Sequence, residues 1–328
     1  MKKISCILLI IIMFSGCIRQ QLKEIKLAGQ VQGTYYSIMY YDFQPRSFQK
    51  QIDSVFALID YNFSLYNPNS LLVRINKNDT SILLNEHFIK LYNMSYQISD
   101  KTGGAFDITI GALVNAYGFG ASLKNKIDSL SLKSKNLYNY KSVRIEQNKL
   151  IKNDSAIRLN FNAIAQGYTA DLLGEFFEHK GIKNYIIDVG GEVLAKGRKT
   201  NNKQWKVGIE KPAPDKSASR EIWTTVFLDN AALSTSGTYR NYIDRNGSRY
   251  SHTINPHTKQ PVSNNLLSVS VKAESCAVAD GYATAFMVMG LDSALKFAEK
   301  DKTIAAYFIY KDKSGKITAK GTNNFKTN

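Results

Sequence analysis

The chain has 328 residues, 44% of them hydrophobic, and carries a formal net charge of +16 at pH 7. This length is ample for a large hydrophobic core, in one large domain or in two closely packed ones. The positive charge favours anionic partners such as nucleotide phosphates or anionic lipid. Because the lysines are dispersed and no recognition motif occurs, the sequence argues against a nucleic-acid-binding protein.

The N-terminus has the features of a secretory signal, which we predict to cover residues 1–16. A basic start precedes a mostly apolar run over residues 4–14, which is too short to span a bilayer as a stable helix. Ser15-Gly16-Cys17 resembles a bacterial lipobox, and the resemblance implies cleavage before Cys17 and its lipidation. The alternative is an ordinary signal with an incidental cysteine.

Lipidation of Cys17 would place the protein on a membrane. The multiply acylated cysteine that a lipobox implies anchors firmly, so we expect a bacterial membrane protein exposed outside the cytoplasm, on the periplasmic side. We expect a tether over residues 17–27 and a single domain over residues 28–328. Cys276 is then the one thiol outside the signal and the anchor, which excludes an intramolecular disulfide and indicates a small core residue.

Hydrophobic periodicity and turn residues predict an α+β fold of mixed β-sheets with packed helices. The predicted helices cover residues 46–63, 86–100, a stretch ending near residue 179, and 274–290. The predicted strands are a pair over 28–41, then 142–146, 149–152, 156–160, 185–189, 205–210, 222–228, 239–244, 248–253, 267–272 and two after 303. Residues 232–237 are predicted as a hydroxyl-rich turn, and residues 121–140 as a surface insertion or a polar helix.

Three loops carry residues that could take part in ligand binding or catalysis. Asp107 follows a glycine turn, where it is either an ordered carboxylate at a loop or strand edge or the cap of a helix over residues 110–117. Residues 161–171 enter a helix, whose free N–H groups suit phosphate, although ordinary capping is the simpler interpretation. The pair Gly190-Gly191 ends a buried strand and lets a ligand or another strand come close.

The helix predicted over residues 274–290 carries Asp280 and Thr284 four positions apart, so the two side chains share one face. A carboxylate and a hydroxyl at this spacing suit Mg²⁺ or Ca²⁺, and Mg²⁺ usually takes further ligands from water and substrate phosphates. The alternative is a solvated aspartate beside a threonine bonded to its own helix.

Seven short strings together resemble the ApbE-type family of FAD:protein FMN transferases over about residues 30–310. The resemblance implies an ApbE-like, T-fold-like α+β architecture. It also implies Mg²⁺-dependent transfer of the FMN half of FAD to a threonine or serine hydroxyl of a partner protein, with release of AMP. The strings are Gly33-Thr-Tyr-Tyr-Ser, Gly104-Ala-Phe-Asp-Ile-Thr-Ile-Gly, Asn162-Ala-Ile-Ala-Gln-Gly-Tyr, Asp188-Val-Gly-Gly-Glu, Thr235-Ser-Gly, Ser251-His-Thr-Ile-Asn-Pro and Ala279-Asp-Gly-Tyr-Ala-Thr.

The resemblance also implies roles for individual residues. Asp280 and Thr284 would supply side-chain ligands to the metal, and Ala163 its backbone carbonyl. His252 would be the base that takes the proton of the incoming hydroxyl, since histidine is well poised near neutral pH; its alternative is a structural histidine within a hairpin. The residues expected along the FAD are Tyr66 (near a ring), Ala105, Phe106, Asp107, Gln166 and Ile254.

The chain departs from the family pattern at three positions. Gln166 stands where many members carry lysine, Asn255 where aspartate is common, and Lys259 where glycine is more usual. A glutamine still hydrogen-bonds a nucleotide, so we expect FAD binding to persist. The expected acceptor is an exported or membrane-bound flavoprotein. The alternative activities are hydrolysis of FAD to FMN and AMP, and storage or delivery of FAD by a non-catalytic lipoprotein.

Overall fold

A large antiparallel sheet forms the centre of the fold in the computed structural model, which describes residues 21–120, 138–213, 219–238, 242–245 and 248–327. The strands are β1 (Lys23–Val31), β2 (Thr34–Asp42), β3 (Val143–Glu146), β4 (Lys149–Lys152), β5 (Tyr185–Val189), β6 (Glu192–Lys196), β7 (Trp205–Glu210), β8 (Ile222–Leu228), β9 (Ala231–Gly237), β10 (Tyr242–Arg245), β11 (Ser248–Ser251), β12 (Ile254–Asn255), β13 (Gln260–Pro261), β14 (Leu266–Ala273), β15 (Ala305–Lys311) and β16 (Ile317–Gly321). The helices are α1 (Gln49–Phe63), α2 (Leu71–Asn76), α3 (Glu86–Lys101), α4 (Gly111–Ala116), α5 (Ala165–His179), α6 (Cys276–Met289) and α7 (Leu291–Lys300), with a 3₁₀ turn at Tyr140–Ser142.

The eight strands of this sheet lie in the order β1-β2-β5-β6-β9-β14-β15-β16. Successive side chains of a strand point to opposite faces, and the two faces are covered differently. On β6, Leu194 joins the core beneath α1 and α5, whereas Val193 and Ala195 join a second core beneath the β7–β8 hairpin. The helices therefore lie on one face of the sheet and the hairpin on the other.

Helix α6 lies against the sheet and is almost entirely buried, which explains its apolar and alanine-rich sequence. Ser275 caps its start by accepting a hydrogen bond from the amide of Val278, and Gly290 ends it with a φ of +77°. Helix α5 approaches α6 closely at Gly167. A Cβ there would lie 2.5 Å from the carbonyl oxygen of Cys276, so this contact requires glycine.

The α+β fold class is confirmed, and most predicted elements are present within a few residues. The predicted tether is partly wrong, because β1 begins at Lys23 and pairs with β2 along its whole length. The strand predicted over residues 156–160 reduces to a single bridge between Ile110 and Arg158. Residues 232–237 are not a turn but lie within β9, a central strand. The predicted signal, Cys17 and most of the predicted polar segment lie outside the described residues.

Cys276 is completely buried, as predicted for a core residue. Burial raises the pKa of its thiol well above the usual value, so the reactive thiolate is strongly disfavoured. No helix in the described part of the chain is long and apolar enough to cross a bilayer.

Candidate functional site

A cavity of about 780 Å³ opens between the start of β6, the end of β9, α6 and the N-terminus of α5. Loops around residues 105–107, 118–119 and 252–254 complete its wall. The structure brings all of the site residues predicted from the sequence into this one cavity. They are Tyr66, Ala105, Phe106, Asp107, Ala163, Gln166, His252, Ile254, Asp280 and Thr284.

Asp280 and Thr284 lie on the side of α6 that faces the cavity. Asp280 is only 6% exposed, and its Oδ2 accepts a hydrogen bond from the amide of Gly167 at 3.3 Å. The Thr284 Oγ1 lies 3.1 Å from the Oγ of Ser236 on β9. The aspartate is therefore not solvated, and the threonine bonds a neighbouring strand.

The donor atoms around Asp280 suit a hard cation. They are a carboxylate and a hydroxyl on adjacent turns of α6, and Ala163 lines the same cavity just before α5. Among the described residues, no cluster of three or more histidine, cysteine, aspartate or glutamate side chains could hold a metal. A cation here would thus complete its shell with backbone, hydroxyl and water oxygens, or with substrate oxygens when the substrate is bound, which is the ligand set that Mg²⁺ accepts. Burial raises the pKa of Asp280 to about 7.

Glu192 is a buried carboxylate of the same cavity that the sequence analysis missed. Its Oε1 accepts a hydrogen bond from Ser234 Oγ at 3.3 Å, and its Oε2 is buried without a hydrogen-bond partner among the described residues. Burial, and then the charge of Asp280, raise the pKa of Glu192 well above its usual value. An acidic residue directly after Gly190-Gly191 was the available signal.

Asp107 is an ordered carboxylate that closes its own loop. Its Oδ1 accepts hydrogen bonds from the amide and the hydroxyl of Thr109, both at 2.7 Å, and its Oδ2 accepts one from the amide of Tyr140 at 3.0 Å. Burial raises the pKa of Asp107 despite these bonds. Helix α4 begins after Ile110 without a side-chain cap, so the alternative role of Asp107 as a helix cap is wrong.

His252 is half-buried in the cavity wall, and its ring centroid lies 6.4 Å from that of Phe119. The chain then turns through Asn255, whose Oδ1 accepts hydrogen bonds from the amides of His257 and Thr258. An aspartate could accept the same two bonds. Lys259 ends the turn with a φ of +59°, in the left-handed region that favours the glycine usual in the family.

Gln166 lies in the first turn of α5, beside the glycine pair. A Cβ on Gly190 would lie 3.0 Å from Gln166 Nε2, so the amide group reaches the backbone after β5. Gly190 and Gly191 have φ values of +71° and +109°, which side-chain-bearing residues rarely adopt. The N-cap residue of α5 makes no side-chain cap, and Asp280 of α6 accepts the first-turn amide of Gly167, so the positive dipole end of α5 lies at the cavity beside Asp280.

The wall formed by the β7–β8 hairpin is polar and was not predicted. Arg220 forms an ion pair with Glu210 at 3.0 Å, and its guanidinium lies 5.8 Å from the centre of the Tyr35 ring. The Tyr35 hydroxyl donates to Asp188 Oδ2 at 3.3 Å. Tyr66, also at the cavity, is 73% exposed, so its ring is accessible for stacking on a planar ligand.

The comparisons with known proteins agree with this geometry. A FAD:protein FMN transferase of Vibrio cholerae is 31% identical over 315 residues, which cover 93% of this chain and 92% of that protein. The solved flavin transferase ApbE of Vibrio cholerae superposes with a TM-score of 0.81 at 30% identity, covering 93% of this chain and 98% of the other. The apo flavinyl transferase ApbE of Pseudomonas stutzeri gives a TM-score of 0.79 at 30% identity, covering 92% and 96%. Because the ApbE family model matches residues 32–308, the chain belongs to the ApbE family.

Proposed function

We propose that this protein is an FAD:protein FMN transferase. It moves the FMN half of FAD to a threonine or serine hydroxyl of an acceptor protein and releases AMP. The observation that carries the proposal is the single cavity that holds a buried carboxylate, a hydroxyl on the next turn and a histidine. The relatives that match nearly the whole chain bear the name of this activity.

The reaction breaks the phosphoanhydride bond of the FAD pyrophosphate and forms a phosphoester bond to the acceptor. The acceptor oxygen bonds to the phosphorus of the FMN half, and the bond from that phosphorus to the bridging oxygen breaks. The electron pair of the broken bond leaves with AMP. His252 takes the proton of the acceptor hydroxyl, which is a weak nucleophile until it is deprotonated.

Mg²⁺ would be held by the side chains of Asp280 and Thr284 and by the carbonyl of Ala163. When bound, the cation would neutralise the negative charge on the pyrophosphate oxygens. Gln166 would bind the phosphates by hydrogen bonding, and the dipole of α5 would attract them at the start of that helix. We further propose that Tyr66 lies against a ring of FAD, with Ala105, Phe106, Asp107 and Ile254 along its length.

The proposal also covers the cellular location of the enzyme. We propose that residues 1–16 are removed, that lipid on Cys17 anchors the protein, and that one transferase domain faces the periplasmic side of a membrane. The acceptor would then be an exported or membrane-bound flavoprotein. The lipobox-like sequence Ser15-Gly16-Cys17 supports this placement.

The deciding experiment uses the full-length protein in detergent, with FAD, Mg²⁺ and a candidate exported flavoprotein domain as acceptor. We expect the intact mass of the acceptor to increase by one FMN. We expect no increase after Asp280→Ala substitution or in EDTA. Free FMN and AMP beside an unmodified acceptor would indicate hydrolysis of FAD instead of transfer. FAD that is bound but not converted would indicate a non-catalytic FAD-binding protein.

A further inference from the structure

Two buried carboxylates, Asp280 and Glu192, share the floor of the cavity. They come from separate elements, since Asp280 lies in α6 and Glu192 is the first residue of β6. The Ser234 hydroxyl of β9 donates to Glu192 Oε1 and is also a hydrogen-bond neighbour of Asp280. Because β6 pairs with β9 immediately beyond these residues, the sheet fixes this arrangement.

The hydrogen bonds at this floor do not satisfy both carboxylates. A hydroxyl has one proton, so Ser234 cannot donate to Glu192 and Asp280 at the same time. Asp280 also receives the Gly167 amide, whereas Glu192 Oε2 is buried without a partner among the described residues. A buried oxygen without a partner is costly, and two neighbouring negative charges repel strongly in a buried site.

A divalent cation would remove both costs. Its charge would match the two carboxylates, and Mg²⁺ usually keeps several of its water molecules. A water on the cation would supply the donor that Glu192 Oε2 lacks. Carboxylates in this position typically orient metal ligands and alter metal affinity by about 10- to 100-fold.

We propose that Glu192 is a positioning residue of the cation site, which accepts a hydrogen bond from a water bound to the cation at Asp280 and Thr284. The inference rests on the proposed function only for the presence of the cation. It adds a residue of β6 to a site otherwise formed by α6 and the approach to α5.

The test measures binding of Mn²⁺ alone to the full-length protein in detergent without FAD, by electron paramagnetic resonance of the free ion. Glu192→Gln keeps the size of the side chain and removes its charge. We expect it to weaken Mn²⁺ binding by at least about 10-fold. Glu221→Gln removes an equal charge from an exposed ion pair with Lys211 and should leave Mn²⁺ binding unchanged.

Thermal unfolding separates this role from a purely structural one. We expect the metal-free Glu192→Gln protein to unfold at a temperature no lower than the wild type, and to gain less stability from Mn²⁺. Equal Mn²⁺ affinity in the two proteins, or no binding by the wild type, would overturn the inference. A variant that is less stable in both conditions with unchanged affinity would also overturn it. The acceptor mass in the transfer assay reports separately whether the proposed function holds.

Discussion

The Asp171 carboxylate of α5 lies 2.7 Å from the Ser275 hydroxyl that caps α6. It also accepts hydrogen bonds from the amides of Cys276 at 2.7 Å and Ala277 at 2.9 Å. One half-buried side chain thus satisfies three donors at the start of the neighbouring helix. Since α5 carries Gln166 and α6 carries Asp280, this contact sets the spacing of two predicted site residues.

Asp171→Ala should therefore destabilise the protein by about 3 kcal/mol, because it leaves buried amides without an acceptor. We expect a lower urea midpoint and weaker Mn²⁺ binding as the helices lose their register. Asp292→Ala, in the exposed first turn of α7, is the control and should cost about 0.5 kcal/mol. Equal losses in the two variants would contradict a special role for Asp171.

His252→Asn should lower kcat for FMN transfer by about 10²- to 10⁴-fold, the usual contribution of a general base. FAD affinity should change little, because the substitution leaves Gln166 and the proposed metal ligands unchanged. His257→Asn changes an exposed histidine in the following turn and should retain activity. Transfer kinetics at saturating FAD measure catalysis, and fluorescence titration with FAD measures binding. Full transfer activity of the His252 variant would refute the role of His252 as the base.

Gln166→Lys restores the charge that many family members carry at this position. A cation near the phosphates should lower KM for FAD by about fivefold, as expected for a charge pair about 4 Å apart in a water-like dielectric. The gain should shrink as ionic strength rises. Gln97→Lys on α3, outside this cavity, gives the same net charge and should leave KM unchanged. A KM for FAD that responds equally to both substitutions would show only a global charge effect.

The buried carboxyls predict how stability depends on pH without metal. Burial raises the pKa of Asp280 to about 7 and also raises the pKa values of Asp107 and Asp171. A raised carboxyl pKa means that the folded state binds more protons than the unfolded state, so this stabilisation is lost as pH rises from about 4 to about 7. We expect the metal-free thermal midpoint to fall across this range.

Mn²⁺ competes with the proton for Asp280, so its stabilising effect should grow over the same pH range. The measurement compares thermal midpoints in EDTA and in Mn²⁺ at pH 5, 6, 7 and 8. The Asp280→Asn protein serves as the control and should show no such growth. A constant Mn²⁺ effect in the wild type would place the cation elsewhere.

Local sequence signals predicted α6 well because its cap, its apolar stripe and its terminal glycine all agree. They failed for β9, where Ser234, Thr235 and Ser236 have the composition of a turn. In the structure these polar side chains bond Glu192, Ser270 and Thr284 in turn. The strand is polar because it lines a cavity, and pairing with β6 and β14 overrides its local preference.

The site residues also differ in whether a short sequence string or only the folded structure reveals them. Family-like strings identified Asp280 and His252 individually, and the fold brings both to one cavity. Glu192 ends one of these strings, but its burial beside Asp280 arises from the pairing of β6 with β9. Arg220 lies outside the strings and meets Tyr35 of β2 only in the folded chain. Asn255 and Lys259 show that a turn can persist when both of its preferred residues are replaced.

The complete burial of Cys276 between α5 and α6 has a practical consequence for following this protein in solution. Its thiol lies in the core formed by α5 and the sheet, so a reagent can meet it only when this core opens. The rate of alkylation therefore reports the opening of this core, from local fluctuation to complete unfolding. Alkylation of the native Cys276 can therefore be used, without an added label, to follow the stability of the part of the fold that carries Asp280.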